Sequence, residues 1–119
     1  MLKLKAQLYC GEEIAMGPGK AALMEAIARE GSISAAARAI GMSYRRAWLL
    51  VDAMNRCWAD PLVETAAGGA RGGGARLSDT GVVVLSRYRA MEAAIAEAAT
   101  AGEQAMAALL RTDPIPPKA

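Results

Sequence analysis

From Leu2 to Leu8 apolar side chains alternate with Lys3, Lys5 and Gln7. This is the period of a strand, predicted over Leu2–Tyr9; the pattern turns at Gly11 and returns through Glu13 to Met16 as a hairpin. Pro18 suits the first position of a helix, and Leu23, Met24, Ile27 and Ala28 recur at helical spacing between Lys20 and Glu30 until Gly31 closes it. A short helix of small residues follows, Ala35, Ala36, Ala37, Ala39 and Ile40, with Ser34 as its cap and Gly41 as the positive-φ residue that ends it. Ser43 caps a third helix whose apolar side, Ala47, Leu50, Val51 and Met54, keeps an i, i+3, i+4, i+7 spacing to about Trp58. Leu62–Thr65 and Ala75–Leu77 read as two short strands around a glycine-rich turn. Ser78 or Asp79 then caps a last helix that starts near Gly81 and runs to about Arg111, where Pro114, Pro116 and Pro117 forbid continuation.

Two adjacent capped helices joined at a glycine, followed by a strand hairpin, make a winged helix-turn-helix. The predicted fold class is mainly α with small β: one domain over residues 1–111, including a C-terminal helix over about 80–111, and a disordered tail over 112–119. The third helix opens with Tyr44, Arg45 and Arg46 while its body is anchored by the apolar stripe. A DNA recognition helix needs that division, because its first turn faces base edges and phosphates. Cations at a helix N-terminus oppose the macrodipole, so a purely structural role favours Asp or Glu there. Arg45 and Arg46 are therefore assigned to DNA, either bidentate to guanine or on phosphate. Ser34 and Ser43 join them as caps and candidate phosphate donors, and Tyr44 as a contact to a thymine methyl or a phosphate. Trp48 and Trp58 are assigned to the core.

The turn holds Gly68, Gly69, Gly72, Gly73 and Gly74 without the GK[ST] continuation of a nucleotide loop. No cofactor is expected. Either it is a plain hairpin tip, or its missing side chains let the backbone and Arg71 approach DNA, with Arg76 at the hairpin base; the second reading is preferred.

In the last helix Val84, Tyr88, Met91, Ile95, Ala98, Gly102, Ala105 and Leu109 alternate steps of four and three, a heptad seam. At 1.5 Å per residue such a helix is about 45 Å long, more than the rest of the domain can cover. Self-association as a homodimer is expected, with Val84, Tyr88, Met91, Ile95 and Ala98 in the interface, presenting two recognition helices to a palindromic operator in duplex DNA.

The net charge of +2 does not itself point to nucleic acid, but its placement does. Eight arginines and four acidic residues lie between Arg38 and Arg89, whereas Met91–Leu110 carries Glu92, Glu97 and Glu103 and no base. Histidine is absent, which removes Ser-His and Cys-His catalysis, and Cys10 and Cys57 are too few for a zinc site and are read as buried or indifferent thiols. No enzyme activity and no metal are expected. No apolar run approaches the roughly 18 residues of a membrane span, and the N-terminus lacks a signal-peptide core, so a cytoplasmic protein without membrane contact is expected.

The combination of GSIS and GMSYRRAW between Gly31 and Trp48, Met54-Asn55, Leu62-Val63-Glu64, and the wing GGARGGGA leading to Leu77-Ser78 resembles the N-terminal DNA-binding domain of ModE-type molybdate-responsive regulators. That domain is similar to the winged helix-turn-helix of LysR-type regulators. The resemblance runs from roughly Lys20 to Glu97 and implies a sequence-specific transcriptional regulator linked to molybdenum. Full-length ModE-type proteins are also implied to carry C-terminal oxyanion-binding domains, to which this sequence offers no counterpart, so selective molybdate binding by these residues is not expected. The alternative function is protein interaction: heterodimerisation with a sensor-bearing regulator through the last helix, or docking of another partner on the winged-helix surface.

Overall fold

A computed structural model describes residues 1–66 and 73–118. Its elements are β1 (Leu8–Cys10), β2 (Glu13–Met16), α1 (Pro18–Glu30), α2 (Ile33–Ala39), α3 (Tyr44–Cys57), β3 (Val63–Thr65), β4 (Ala75–Leu77) and α4 (Asp79–Ala107). The order is that of a winged helix-turn-helix.

The N-terminal alternation does not become one long strand. Only Leu8, Tyr9 and Cys10 pair, with Met16, Ile14 and Glu13. The physical reason is the partner: β2 has four residues before Gly17 and Pro18 open α1, so nothing is left for residues 2–7 to pair with. Those residues lie against α4 instead, where the Tyr88 hydroxyl donates to the Ala6 carbonyl at 2.7 Å and the Leu2 N–H donates to Glu103 Oε2 at 3.1 Å.

Helix α1 starts at Pro18 and ends on Gly31, whose φ of 80° lets its N–H return to the Ile27 carbonyl at 2.9 Å. Leu23, Met24 and Ile27 are buried as expected, but Ala26 is buried and Ala28 exposed. The cap of α2 is Ser32, not Ser34: the Ser32 Oγ accepts the Ala35 N–H at 3.1 Å, and Ser34 already lies inside the helix. A capping oxygen reaches the N–H three residues on; starting two residues earlier also buries Ile33. Gly41 takes a φ of 70° at the turn. Ser43 does cap α3, its Oγ accepting the Arg46 N–H at 3.1 Å.

Strands β3 and β4 pair Val63, Glu64 and Thr65 with Leu77, Arg76 and Ala75. The wing base is tied to the end of α1, since the Ala75 N–H donates to the Gly31 carbonyl at 2.9 Å. Arg71, Gly68, Gly69 and Gly72 fall outside the described residues. Helix α4 is capped by Ser78, with Asp79 in its first turn, and ends at Ala107, four residues before the expected Arg111, on turn bonds from Leu109 and Leu110. Residues 112–118 are irregular and exposed.

The core gathers Met16, Leu23, Met24, Ile27, Val51, Met54 and Leu62, all fully buried, with Ala21, Ala36, Ala37 and Ala47 where helices approach closely. Alanines bring the backbones together and unbranched methionines fill what remains, which is how a sequence without phenylalanine closes a core. Among the described residues no helix is long and apolar enough to cross a membrane.

Candidate nucleic-acid interface

The buried face of α3 is Ala47, Val51, Ala53 and Met54, with Leu50 half-buried. A residue at i+1 is rotated about 100° from its neighbour. Tyr44, Arg45 and Arg46 are consequently exposed while the stripe behind them is fixed. Among the described residues neither arginine forms an ion pair. Behind the helix, the buried Lys20 amine is pushed below the usual lysine range, chiefly by desolvation, with Arg46 adding to the effect and Glu13 and Cys57 opposing it.

Trp48 corrects the expectation of a core residue, for it is 39% exposed. It sits one position past Ala47, off the buried stripe and four residues after Tyr44 on the same side of the helix. Its ring meets that of Tyr44 edge-on, with centroids 6.2 Å apart and planes at 75°. Both rings line a cleft of about 810 Å³ between the recognition helix and the wing, shared with Ser32, Ser34, Thr65 and Gly74. Trp58 fulfils its assignment: it packs against the core and donates its indole N–H to the Ala15 carbonyl at 3.1 Å.

Asn55 sets the wing's position relative to the recognition helix. Its Oδ1 accepts the N–H groups of Leu62 at 2.9 Å and Val63 at 3.1 Å, and its Nδ2 donates to the Val63 carbonyl at 3.0 Å. Periodicity carries no signal for this role, since the partner backbone lies across a turn. Ser32 was legible by its spacing to Ala35, and Trp48 by its offset from the stripe.

The basic middle of the chain is partly neutralised from within. Arg56 pairs with Asp52 and Glu13, and Arg89 with Glu25 and Glu92. Arg76, expected on DNA, reaches Glu64 across the wing at 3.0 Å, because the strand register sets the two side by side, and its side chain stays exposed. Arg38, Arg45, Arg46 and Arg87 have no such partner among the described residues. Within this basic middle, the described arginines without an ion partner are thus three on the helix-turn-helix and Arg87 on α4.

The seam on α4 divides in two. Tyr88 is buried within its own chain, and Val84 is half-buried against the same core, so the first turns pack inward and Tyr88 cannot also serve an intersubunit seam. Met91, Ile95 and Ala98 stay exposed. The Arg89 hydrogen bond holds the Glu25 carboxyl below the usual range, and Glu25 and Glu92 raise the Arg89 guanidinium, locking α4 to α1. At the far end of α3 the half-buried Cys57 thiol lies against the exposed Cys10; burial pushes it up, with Cys10 adding to the effect. Among the described residues no group of acidic and thiol side chains could hold a metal.

Residues 20–82 match the family of bacterial regulatory helix-turn-helix proteins, lysR family. The chain is also similar to the molybdenum-pterin-binding protein MopB of Rhodobacter capsulatus, 46% identical over 91 residues, which are 76% of this chain and 34% of MopB. It is similar to the molybdenum transport protein ModE of Azotobacter vinelandii, 49% identical over 70 residues, 59% of this chain and 26% of that protein. The DNA-binding transcriptional dual regulator ModE of Escherichia coli K12 is 38% identical over 87 residues, 73% of this chain and 31% of the regulator. The chain thus spans between 26% and 34% of the length of these relatives. With its winged helix-turn-helix and a match through the wing into the start of α4, the chain belongs to the lysR family of bacterial regulatory helix-turn-helix proteins.

Proposed function

We propose that this chain binds duplex DNA sequence-specifically as a homodimer and regulates transcription in connection with molybdenum. The observation that carries the reading is the first turn of α3: two exposed arginines without ion partners among the described residues, on a helix whose opposite face is buried. Cations placed against the helix dipole and left unneutralised are suited to an external polyanion. Arg45 and Arg46 enter the major groove, Ser43 and Tyr44 join them there, Ser34 faces the backbone, and Arg71 meets the flanking backbone from the wing. Arg76, exposed beside Glu64 at the hairpin base, adds a contact to the same backbone. The molybdenum link rests on what the relatives are named for.

Selection of bound sequences from random duplex DNA tests the reading. Enrichment of a palindromic site is expected, with log affinity falling against log salt at a slope of roughly −4 to −7, as about five to eight neutralised phosphates require. Salt-independent affinity, or no enrichment, refutes it.

The dimer is assigned to Met91, Ile95 and Ala98 on the exposed stretch of α4. Ile95→Glu places an unpaired carboxylate against its symmetry mate, so the dimer should weaken at least about a hundredfold. Sedimentation at micromolar concentration checks this: the expected result is dimeric wild type and monomeric Ile95→Glu. Monomeric wild type, or a variant that stays dimeric, overturns the assignment.

A further inference from the structure

Trp48 forms an exposed aromatic pair with Tyr44, and of the two it is Trp48 that the arginine-based reading leaves without a task. Trp48 is 39% and Tyr44 54% exposed, and the rings hold each other in a T-shaped contact. Among the described residues, the Trp48 indole N–H and the Tyr44 hydroxyl make no hydrogen bond, in contrast to the N–H of Trp58 and the hydroxyl of Tyr88, which are both satisfied inside the chain. The pair lines the wing side of the recognition helix, in the roughly 810 Å³ cleft whose opposite wall is the wing base. Both walls are anchored, α3 by its buried stripe and the wing by the three Asn55 hydrogen bonds.

We infer that Trp48, braced by Tyr44, is a specificity-determining residue that reads a thymine in the major groove. This rests on the DNA-binding reading and deepens it. The major-groove edge of thymine presents a C5-methyl group beside the O4 acceptor, a combination no other base offers. An indole face with an unused N–H at its edge matches both: the ring covers the methyl and the N–H donates to O4. Helical side chains lean toward the N-terminus, which carries Trp48 over the Tyr44 turn and toward the end of α3 that meets base edges. The arginines on the adjacent face hold the helix to the same duplex, so the apolar pair is brought to base edges by its neighbours' charge.

The test uses the full chain and a duplex recovered by selection, with each thymine replaced singly by deoxyuridine, which removes the methyl and keeps the pairing. Wild type should lose about two- to fourfold in affinity at one thymine per half-site, the value of one buried methyl contact. Trp48→Ala should bind the unmodified duplex more weakly by a similar or larger factor and show no further loss with deoxyuridine at that position. Trp48→Phe should keep most of the methyl dependence. An unchanged melting temperature in both variants is expected, because Trp48 is outside the core. Undiminished deoxyuridine sensitivity in Trp48→Ala, or wild-type affinity in that variant, overturns the assignment while DNA binding stands. No binding to any duplex overturns both, and would leave the aromatic pair as a protein-docking surface.

Discussion

Arg45→Ala and Arg46→Ala are each expected to weaken binding to a selected duplex by about 1–3 kcal/mol, roughly fivefold to a hundredfold or more. Both side chains are exposed and unpaired among the described residues, and neither touches the stripe of Ala47, Val51 and Met54, so the melting temperature should stay where it is. The shape of the loss separates base from phosphate contact. A variant that binds all sequences more evenly has lost a bidentate contact to a base; one that weakens uniformly and lowers the salt slope by about one has lost a phosphate. Arg56→Ala is the matched control: its guanidinium is already held by Asp52 at 2.9 Å and Glu13 at 3.1 Å, so its removal should change affinity far less. Unchanged affinity in both recognition-helix variants would remove α3 from the interface.

The arginines were legible in the sequence because their evidence is local. A cap at Ser43, a basic first turn and an apolar stripe all lie within twelve residues, and helical period turns that order directly into faces. The helix order, the wing strands and the positive-φ glycines at Gly31 and Gly41 were legible for the same reason. What escaped was decided by partners distant along the chain. The alternation at Leu2, Leu4 and Ala6 is a true strand pattern, yet a strand needs a neighbour, and Pro18 ends the available one. Trp48 looked like core because it stands beside the Leu50–Val51 stripe, but the space beneath α3 is already filled by Ala47, Val51 and Met54 against α1. Tyr88 fitted a heptad, and its hydroxyl bond to Ala6, eighty-two residues away, shows the first turns of α4 spent on the same chain's core. Arg76 read as a cation without a partner until its cross-strand neighbour Glu64 was placed beside it.

Gly81→Ala should be the most destabilising of the alanine substitutions at the described glycines, by about 2–3 kcal/mol, and should lower the melting temperature by roughly 10 °C. In the sequence Gly81 reads only as the start of the last helix. In the fold its Cα faces the backbone of Leu62, and a Cβ there would overlap the Leu62 carbonyl oxygen and stand 3.0 Å from its carbonyl carbon. Leu62 cannot withdraw, because its side chain is fully buried and its peptide is held from both sides. Its N–H donates to Asn55 at 2.9 Å and its carbonyl accepts the Ser78 N–H at 2.9 Å. Ser78 is itself committed, its Oγ donating to the Pro61 carbonyl at 2.6 Å and accepting the Gly81 N–H at 2.9 Å. An added methyl must therefore lift the first turn of α4 off the wing base and break the Ser78–Leu62 bond. Alanine's greater helix propensity, worth up to about 1 kcal/mol over glycine, offsets only part of that cost. Gly19→Ala in the first turn of α1 isolates the propensity effect, since nothing lies within 4 Å of a Cβ there, and should stabilise by about 0.5–1 kcal/mol. Thermal unfolding of the two variants beside wild type decides the matter: opposite signs are expected, and a Gly81→Ala protein as stable as wild type would mean that α4 does not seat on Leu62 in solution. Because that seat also fixes the wing through Asn55, Gly81→Ala should weaken DNA binding even at temperatures where the domain remains folded.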